Sequence, residues 1–315
     1  MGNASTTIAV QKIAQTSSAD PRLSLSSTAR SGPTIGVDIV WVRLAIACGF
    51  LVIAFWPILR GIYLSWFDPY TYMEHGILVI PAAGYMTWSK RRELRTVEPQ
   101  PSRWGVVLLA FGALQATFAT AAHWIWVSRM AFLVSLSGCI LALLGFRMLR
   151  VLAYPLCTLI LMIAPPTFLF ERLTLSLQLL ASRLGEFSLD ALGYSVLREG
   201  NILELVGVKL SVAEACSGIR SLLGILFISV LYNFLFVRES MLRWIVLIAA
   251  VPIAILGNAA RIVATGIASQ HNPQLVYGTA HEAFGWVSIT LAGLGCAVVH
   301  VLAVTVRKAW RARHG

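Results

Sequence analysis

A cysteine, two arginines and a histidine stand in three short blocks of the second half of the chain. Cys216 and Arg220 occur in VAEACSGIRSLLG, Arg261 occurs in GNAARI, and His281 occurs in YGTAHEAFGW. A thiol, a base and a cation that stabilises an oxyanion are the groups needed for thiol acyl transfer. This chemistry requires a fold that brings Cys216, Arg261 and His281 together.

The composition is that of a membrane protein. Of the 315 residues, 57% are hydrophobic and 12% are charged, whereas about a quarter of a soluble domain is charged. Apolar runs near the ~20 residues that a helix needs to cross a bilayer fill nearly all of the chain after residue 37. The predicted fold is an all-α polytopic membrane protein with about eight transmembrane helices. They are predicted over residues 39–58, 76–89, 104–123, 129–146, 149–165, 218–236, 242–264 and 283–306.

The net charge of +11 is carried mainly by short loops between the apolar runs. This placement indicates membrane orientation and not nucleic-acid binding, because basic loops stay on the cytoplasmic side. Three domains are predicted: a disordered cytoplasmic N-terminal tail (1–36), a transmembrane domain (37–306) and a basic cytoplasmic C-terminal tail (307–315). In this topology Cys216, Arg261 and His281 share the outer layer.

Residues 166–216 form the largest outer segment. Leucines and charges are mixed in its first part, which favours a helix lying in the outer interface over a further crossing. Residues 202–206 and 208–212 alternate apolar and polar around Gly207. This pattern predicts a small β-hairpin just before Cys216.

The surroundings of Cys216 favour a reactive thiol. Ser217 and the next residue offer backbone N–H groups at the start of a helix, whose partial positive charge lowers a thiol pKa. Arg220, one turn further on, adds to this effect, and Glu214 opposes it. The other four cysteines lie in apolar runs, where a thiol is usually a small core residue, so no disulfide partner is predicted on the outer face.

Arg261 lies in the outer half of its predicted span, where an ionised side chain is costly without a function or a partner. Asp68 and Glu74 are the candidate structural partners. Asn258, three residues before Arg261, either orients the guanidinium or makes an ordinary interhelix hydrogen bond. Both interpretations stay open.

Three more residues are candidates for supporting roles. His281 opens the last predicted span, with Glu282 beside it, and His75 begins the second span at its outer end. Glu214 and Glu282 either orient Arg261 or His281, or face water. No cofactor and no metal site are predicted.

Three blocks together carry a family resemblance. GVKLSVAEACSGIRSLLG, VPIAILGNAARI and HEAFGW, in this order on consecutive crossings, resemble the exosortase/archaeosortase family of integral-membrane cysteine transpeptidases. HGILVIPAAGYMTW and LQLLASRLGEFSLDALGYSVLREGNILEL agree with it, so the resemblance covers roughly residues 40–306. It implies a catalytic trio of Cys216, Arg261 and His281. The histidine in the third place is similar to the bacterial branch.

The resemblance also implies a function. Family members are thought to cut exported proteins at a C-terminal PEP-CTERM sorting signal, at the outer face of the bacterial inner membrane. A thioester on Cys216 would then be resolved by water or by a cell-surface polymer or lipid acceptor, and the sequence leaves both open. The expected partners are such protein substrates, the acceptor and the lipid bilayer, without nucleic acid.

The alternative function is a transporter or lipid flippase, in which Arg220 and Arg261 would line an anion path. Transporters often contain paired broken helices in two related halves, and the sequence has no such halves. A serine intramembrane protease is weaker, because it would make the cysteine beside Ser217 accidental.

Overall fold

The computed structural model describes residues 35–68, 70–212, 218–271 and 278–314; within them, the side chains of 35–38, 271, 278–284, 286 and 314 are left undescribed. Contacts divide the chain into two units, Met1–Val42 and Arg43–Gly315. The described part of the first unit is helical from Ile35, which lies inside the predicted tail 1–36. The rest of that tail lies outside the described residues.

Ten α-helices, one 3-10 helix and three short strands lie in the described residues. The helices are α1 (Ile35–Ala54), α2 (Trp56–Ser65), α3 (Gly76–Ser89), α4 (Arg91–Thr96), α5 (Arg103–Ala121), α6 (Ile125–Thr158, followed by the 3-10 helix Leu159–Met162), α7 (Thr167–Ala191), α8 (Ile219–Phe236), α9 (Ser240–His271) and α10 (Gly278–His314). The strands are β1 (Val196–Glu199), β2 (Ile202–Leu205) and β3 (Val208–Ser211).

Five of the described helices are long and apolar enough to cross a membrane, namely α5, α6 with its 3-10 extension, α8, α9 and α10. Helices α1 and α2 meet at a bend of 73° and add a sixth crossing if they form one broken span. The predicted number of about eight is therefore not confirmed. One reason is that α3 has 14 residues, fewer than the ~20 of a typical span. The other is that predicted spans 129–146 and 149–165 lie in a single element, Ile125–Met162, which is one of the five candidates although it folds back at Gly145.

The element Ile125–Met162 folds back at Gly145, whose φ of 86° and ψ of 179° are not helical. Near its start, Arg129 donates a 3.1 Å hydrogen bond to the carbonyl of Gly61 in α2. At its end, the carbonyl of Met162 accepts a 3.0 Å hydrogen bond from the indole of Trp66, directly after α2. A straight helix would separate Arg129 from Met162 by about 50 Å. Its two halves therefore run in opposite directions, joined by a turn at one glycine.

Helix α7 and the three strands follow this folded element. The sequence predicts an interfacial helix here, and α7 is a 25-residue helix outside the set of candidate spans. The sheet is antiparallel in the order β1-β2-β3. Strands β2 and β3 pair Leu205 with Val208 across a turn in which Gly207 has a φ of 79°. The predicted pairing is thus part of a three-stranded sheet, to which β1 adds a strand that the sequence analysis did not include.

Helix α7, the sheet and α9 share a small apolar core. Its fully buried members are Ala181, Leu189, Leu203, Leu205, Leu210, Val212 and Ile262. Ile262 is the contribution of α9, and it directly follows Arg261. Since burying one such side chain contributes ~1.5–3 kcal/mol, this core fixes the turn of α9 that carries Arg261. It also fixes Val212, the last described residue before the gap at 213–217.

Basic residues gather at the far end of the helices. His75 and Lys90 flank α3 at its two ends. The ammonium of Lys90 donates a 2.8 Å hydrogen bond to the carbonyl of Val151. Helices α9 and α10 likewise carry Arg243 and Arg307 at this end, and Arg307 forms an ion pair with Glu239. The basic C-terminal segment predicted as a tail is the last part of α10, which continues to His314.

Candidate functional site

The described residues contain part of the predicted site. Cys216, Glu214 and Ser217 lie outside them, in the gap 213–217. The backbone of His281 and Glu282 belongs to the first turns of α10, while their side chains lie outside the described part. Side-chain geometry is therefore available for the other predicted residues.

One cavity brings most of those residues together. It has a volume of about 440 Å³ and lies between α3, α8, α9 and α10. Its polar lining consists of Glu74, His75, Arg220, Ser221 and Arg261, and its apolar lining consists of Leu78, Phe227, Ile228 and Ile289 with Gly224 and Gly285. The cavity lining thus combines charged and apolar side chains.

Arg261 enters this cavity from α9 and packs over the backbone of α10 at Gly285. A methyl group built on Gly285 would lie 3.7 Å from Cζ and Nη1 of Arg261 and 3.8 Å from Nη2. The flat guanidinium therefore covers the helix where a side chain is absent. Gly285 stands one helical turn after His281.

Asn258, one turn before Arg261, packs against the start of α8. Its side chain is 2% exposed, and its Nδ2 lies 3.3 Å from the position that a Cβ on Gly218 would occupy. Gly218 has a φ of 69°, a conformation that glycine adopts readily and other residues rarely. This glycine caps α8 two residues after Cys216, so Asn258 links the helix of Arg261 to the chain that leaves the cysteine.

Arg220 forms an ion pair with Glu74, and the Nη2–Oε1 distance is 3.2 Å. Its Cζ also lies 4.9 Å above the ring centroid of Tyr72, and Tyr72 stacks on Phe170 at 6.0 Å. The sequence analysis offered Glu74 as a candidate partner of Arg261. In the structure, the ion pair of Glu74 is made with Arg220.

His75, also in the cavity lining, makes a 3.1 Å contact between its Nε2 and the carbonyl oxygen of Leu161. A carbonyl only accepts hydrogen bonds, so Nε2 carries the proton and the neutral ring keeps an acceptor at Nδ1. Burial lowers the pKa of His75, while the hydrogen bond to Leu161 and the charge of Glu74 oppose this shift. The imidazole is therefore biased towards its neutral form.

The sequence analysis did not single out two contributors to this site, Tyr72 and Gly285. It considered a third, Glu74, only as a partner of Arg261. A signal existed for Gly285, because it stands four residues after His281 in the HEAFGW block. Tyr72 has an unusual φ of 52°, which no sequence pattern indicates.

The arrangement provides two guanidinium groups, one carboxylate and one imidazole beside an apolar wall. Guanidinium groups in a partly dry site stabilise negative charge that develops on a reacting oxygen. Within the described residues, no group of three or more His, Cys, Asp and Glu side chains is placed to hold a metal ion.

A comparison with protein families identifies a match over most of the chain. The family described as transmembrane exosortase matches residues 66–298. The chain belongs to the transmembrane exosortase family. The match contains every residue of the cavity lining, as well as Cys216 and His281. No curated protein and no solved structure matches the chain.

The exosortase match agrees with the architecture. It runs from Trp66 to residue 298, so it begins at the indole anchored on Met162 and ends within α10. The chain is therefore a multi-pass membrane protein of a family of membrane-embedded sorting transpeptidases.

Proposed function

We propose that this exosortase is a membrane cysteine protease or transpeptidase that cuts the C-terminal PEP-CTERM-type signal of exported proteins. The single observation that supports this most is the cavity in which Arg261 packs over Gly285, one turn after His281. A cation beside the helix that carries His281 brings together two of the three groups that thiol acyl transfer uses.

The proposed reaction starts when the Cys216 thiolate attacks the carbonyl carbon of the scissile bond. Arg261 stabilises the oxyanion of the tetrahedral intermediate. The C–N bond then breaks, and the imidazolium of His281 gives its proton to the leaving amine. This leaves a thioester on Cys216 and a neutral His281.

The thioester is then resolved by a nucleophile. Neutral His281 takes a proton from water, or from an amine or hydroxyl of an acceptor, while the nucleophile attacks the thioester carbonyl. The C–S bond breaks and the thiolate of Cys216 returns. Water gives a shortened protein, and a cell-surface polymer or lipid acceptor gives a conjugate.

The proposed location is the bacterial inner membrane, with the active site on the periplasmic side and both termini in the cytoplasm. Two features support it. Along α9, the 18 residues from Arg243 to Arg261 separate the basic residues from the cavity and rise by about 27 Å. This distance is close to the ~30 Å of a hydrocarbon core, and basic residues favour the cytoplasmic side.

The test is expression with a PEP-CTERM-tagged reporter in a bacterial host that lacks exosortases, followed by the size of the reporter. Cys216→Ala should abolish processing. Arg261→Ala should lower the rate by about 10²–10³-fold, as loss of an oxyanion-stabilising group does. His281→Ala should lower it by about 10²–10⁴-fold, as loss of a general acid and base does.

Matched controls separate the site from general damage. Cys157 is an exposed free cysteine, and Cys157→Ala should process the reporter at the wild-type rate. His123 is exposed with a φ of 56°, a conformation that asparagine tolerates, so His123→Asn should also be active. Full processing by Cys216→Ala at normal membrane levels would contradict the proposal.

A further inference from the structure

The ion pair between Arg220 and Glu74 is weakly held. Its two side chains are 49% and 50% exposed, and their Nη2–Oε1 distance is 3.2 Å. A guanidinium has five N–H donors in a fork that fits a carboxylate with two parallel hydrogen bonds. Exposed ion pairs contribute little to stability because water screens them. A second carboxylate can therefore replace Glu74 on Arg220 without damage to the fold.

The guanidinium itself is held more firmly than its partner. Tyr72 lies under Arg220 with 4.9 Å between Cζ and the ring centroid, and the ring of Phe170 stacks on Tyr72 with 6.0 Å between the centroids. The aromatic ring favours the cation through its negative face. Arg220 thus keeps its place at the cavity wall whether or not Glu74 is in contact with it.

The described lining of the cavity carries charges of both signs. Arg220 and Arg261 are cationic, and Glu74, the ion-pair partner of Arg220, is anionic. Once Glu74 moves away, the guanidinium of Arg220 in this partly apolar cavity favours a ligand that carries a carboxylate.

We infer that Arg220 determines substrate specificity by binding an acidic side chain of the substrate close to the bond that is cut, in place of Glu74. This inference rests on the proposed function, because it assigns the substrate of the same cavity. Glu74 occupies the anion site in the free protein and leaves it when the substrate arrives. A substrate with a neutral residue at that position cannot form an ion pair with Arg220, so it does not displace Glu74 and binds more weakly.

The test is a two-by-two comparison of purified protein in proteoliposomes. Wild type and Arg220→Gln are each given two reporter proteins, one with a Glu near the cut site and one with Gln in its place. A charge-assisted bidentate bond corresponds to about 10- to 100-fold in kcat/KM. Wild type should prefer the Glu reporter by that factor. The factor should shrink at least tenfold in Arg220→Gln, since the acid then has no partner.

Two further variants sharpen the test. Glu74→Gln removes the competing carboxylate, so it should lower KM for the Glu reporter more than for the Gln reporter. Arg198 pairs with Glu186 at 2.7 Å, outside the cavity lining, and Arg198→Gln should keep the wild-type preference.

The outcomes are distinct. Equal losses for both reporters in Arg220→Gln would overturn the inference and give Arg220 a role that does not depend on the substrate charge. The absence of a preference for Glu in the wild type would overturn it as well. If the wild type cuts neither reporter while it is folded in the membrane, the proposed function itself has failed.

Discussion

Substitutions of Gly285 measure how closely the site depends on the contact between α10 and Arg261. A Cβ at this position would lie 3.7 Å from Cζ of Arg261, an ordinary van der Waals distance. Gly285→Ala should therefore leave the guanidinium in place. It should also stabilise α10 by about 0.5–1 kcal/mol, because alanine loses less backbone entropy than glycine in a helix.

Gly285→Val should behave differently. Each γ-carbon extends ~1.5 Å beyond Cβ, so a γ-carbon directed at the guanidinium would approach Cζ to roughly 2.5 Å and force Arg261 to move by about 1 Å. A misplacement of that size can cost about 10²-fold in rate. The expected result for Gly285→Val is a loss near that value, with a melting temperature close to that of the wild type.

The assay is the rate of reporter processing in proteoliposomes, together with the melting temperature of the purified protein. Gly84→Val is the matched control, because Gly84 lies inside α3 and nothing is within 4 Å of a Cβ built there. Full activity of Gly285→Val would refute the reasoning about this contact. So would an inactive Gly285→Ala that is folded and stable.

Other predictions concern the elements that support the site. Gly145→Ala should destabilise the protein by more than ~2 kcal/mol in thermal unfolding, because Gly145 has a φ of 86° and a Cβ there would collide with the carbonyl oxygen of Gln100; Gly49→Ala, in open space, should be neutral or stabilising. Gly185→Ala places a methyl group 2.8 Å from Cγ2 of Ile262. Overpacking should lower the free energy of unfolding by ~1–3 kcal/mol, and the higher helix propensity of alanine should offset about 1 kcal/mol of this loss. An unchanged melting temperature would contradict this packing. Because burial lowers the pKa of His75, its contribution to stability is present above about pH 6.5 and is lost as the pH falls towards the lowered folded value. His75→Gln should therefore reduce the drop in melting temperature between pH 7 and pH 5, and an identical drop would contradict the shift.

The sequence predicted the class of the protein and the blocks that carry the site. Apolar runs and basic loops indicate a polytopic membrane protein, and these signals are local in the chain. The order of the blocks around Cys216, Arg261 and His281 was sufficient for the family. Two spans, 129–146 and 149–165, were predicted on either side of Gly145, but a one-residue turn could not be predicted, because the close approach of the Gln100 carbonyl to Gly145 is a tertiary contact.

The details of the cavity depend on tertiary contacts that no local pattern contains. The sequence could place Glu74 and both arginines in one layer, but it could not tell which arginine Glu74 meets. That choice depends on the rotation of α3, α8 and α9 about their axes. Tyr72 joins the pair through a left-handed backbone conformation that is rare for tyrosine. The burial of Ile262, which fixes the turn of Arg261, likewise follows from the docking of α7 and the sheet.

The most direct test of the central claim is to trap the acyl-enzyme. Purified protein is mixed with the PEP-CTERM reporter, quenched in acid during turnover and digested, and the peptide that contains Cys216 is weighed by mass spectrometry. The account predicts that Cys216 carries an adduct with the N-terminal part of the reporter. Hydroxylamine should remove this adduct, and the Cys157→Ala variant should still form it. Processing that continues in Cys216→Ala, with no adduct on Cys216 in the wild type, would contradict it.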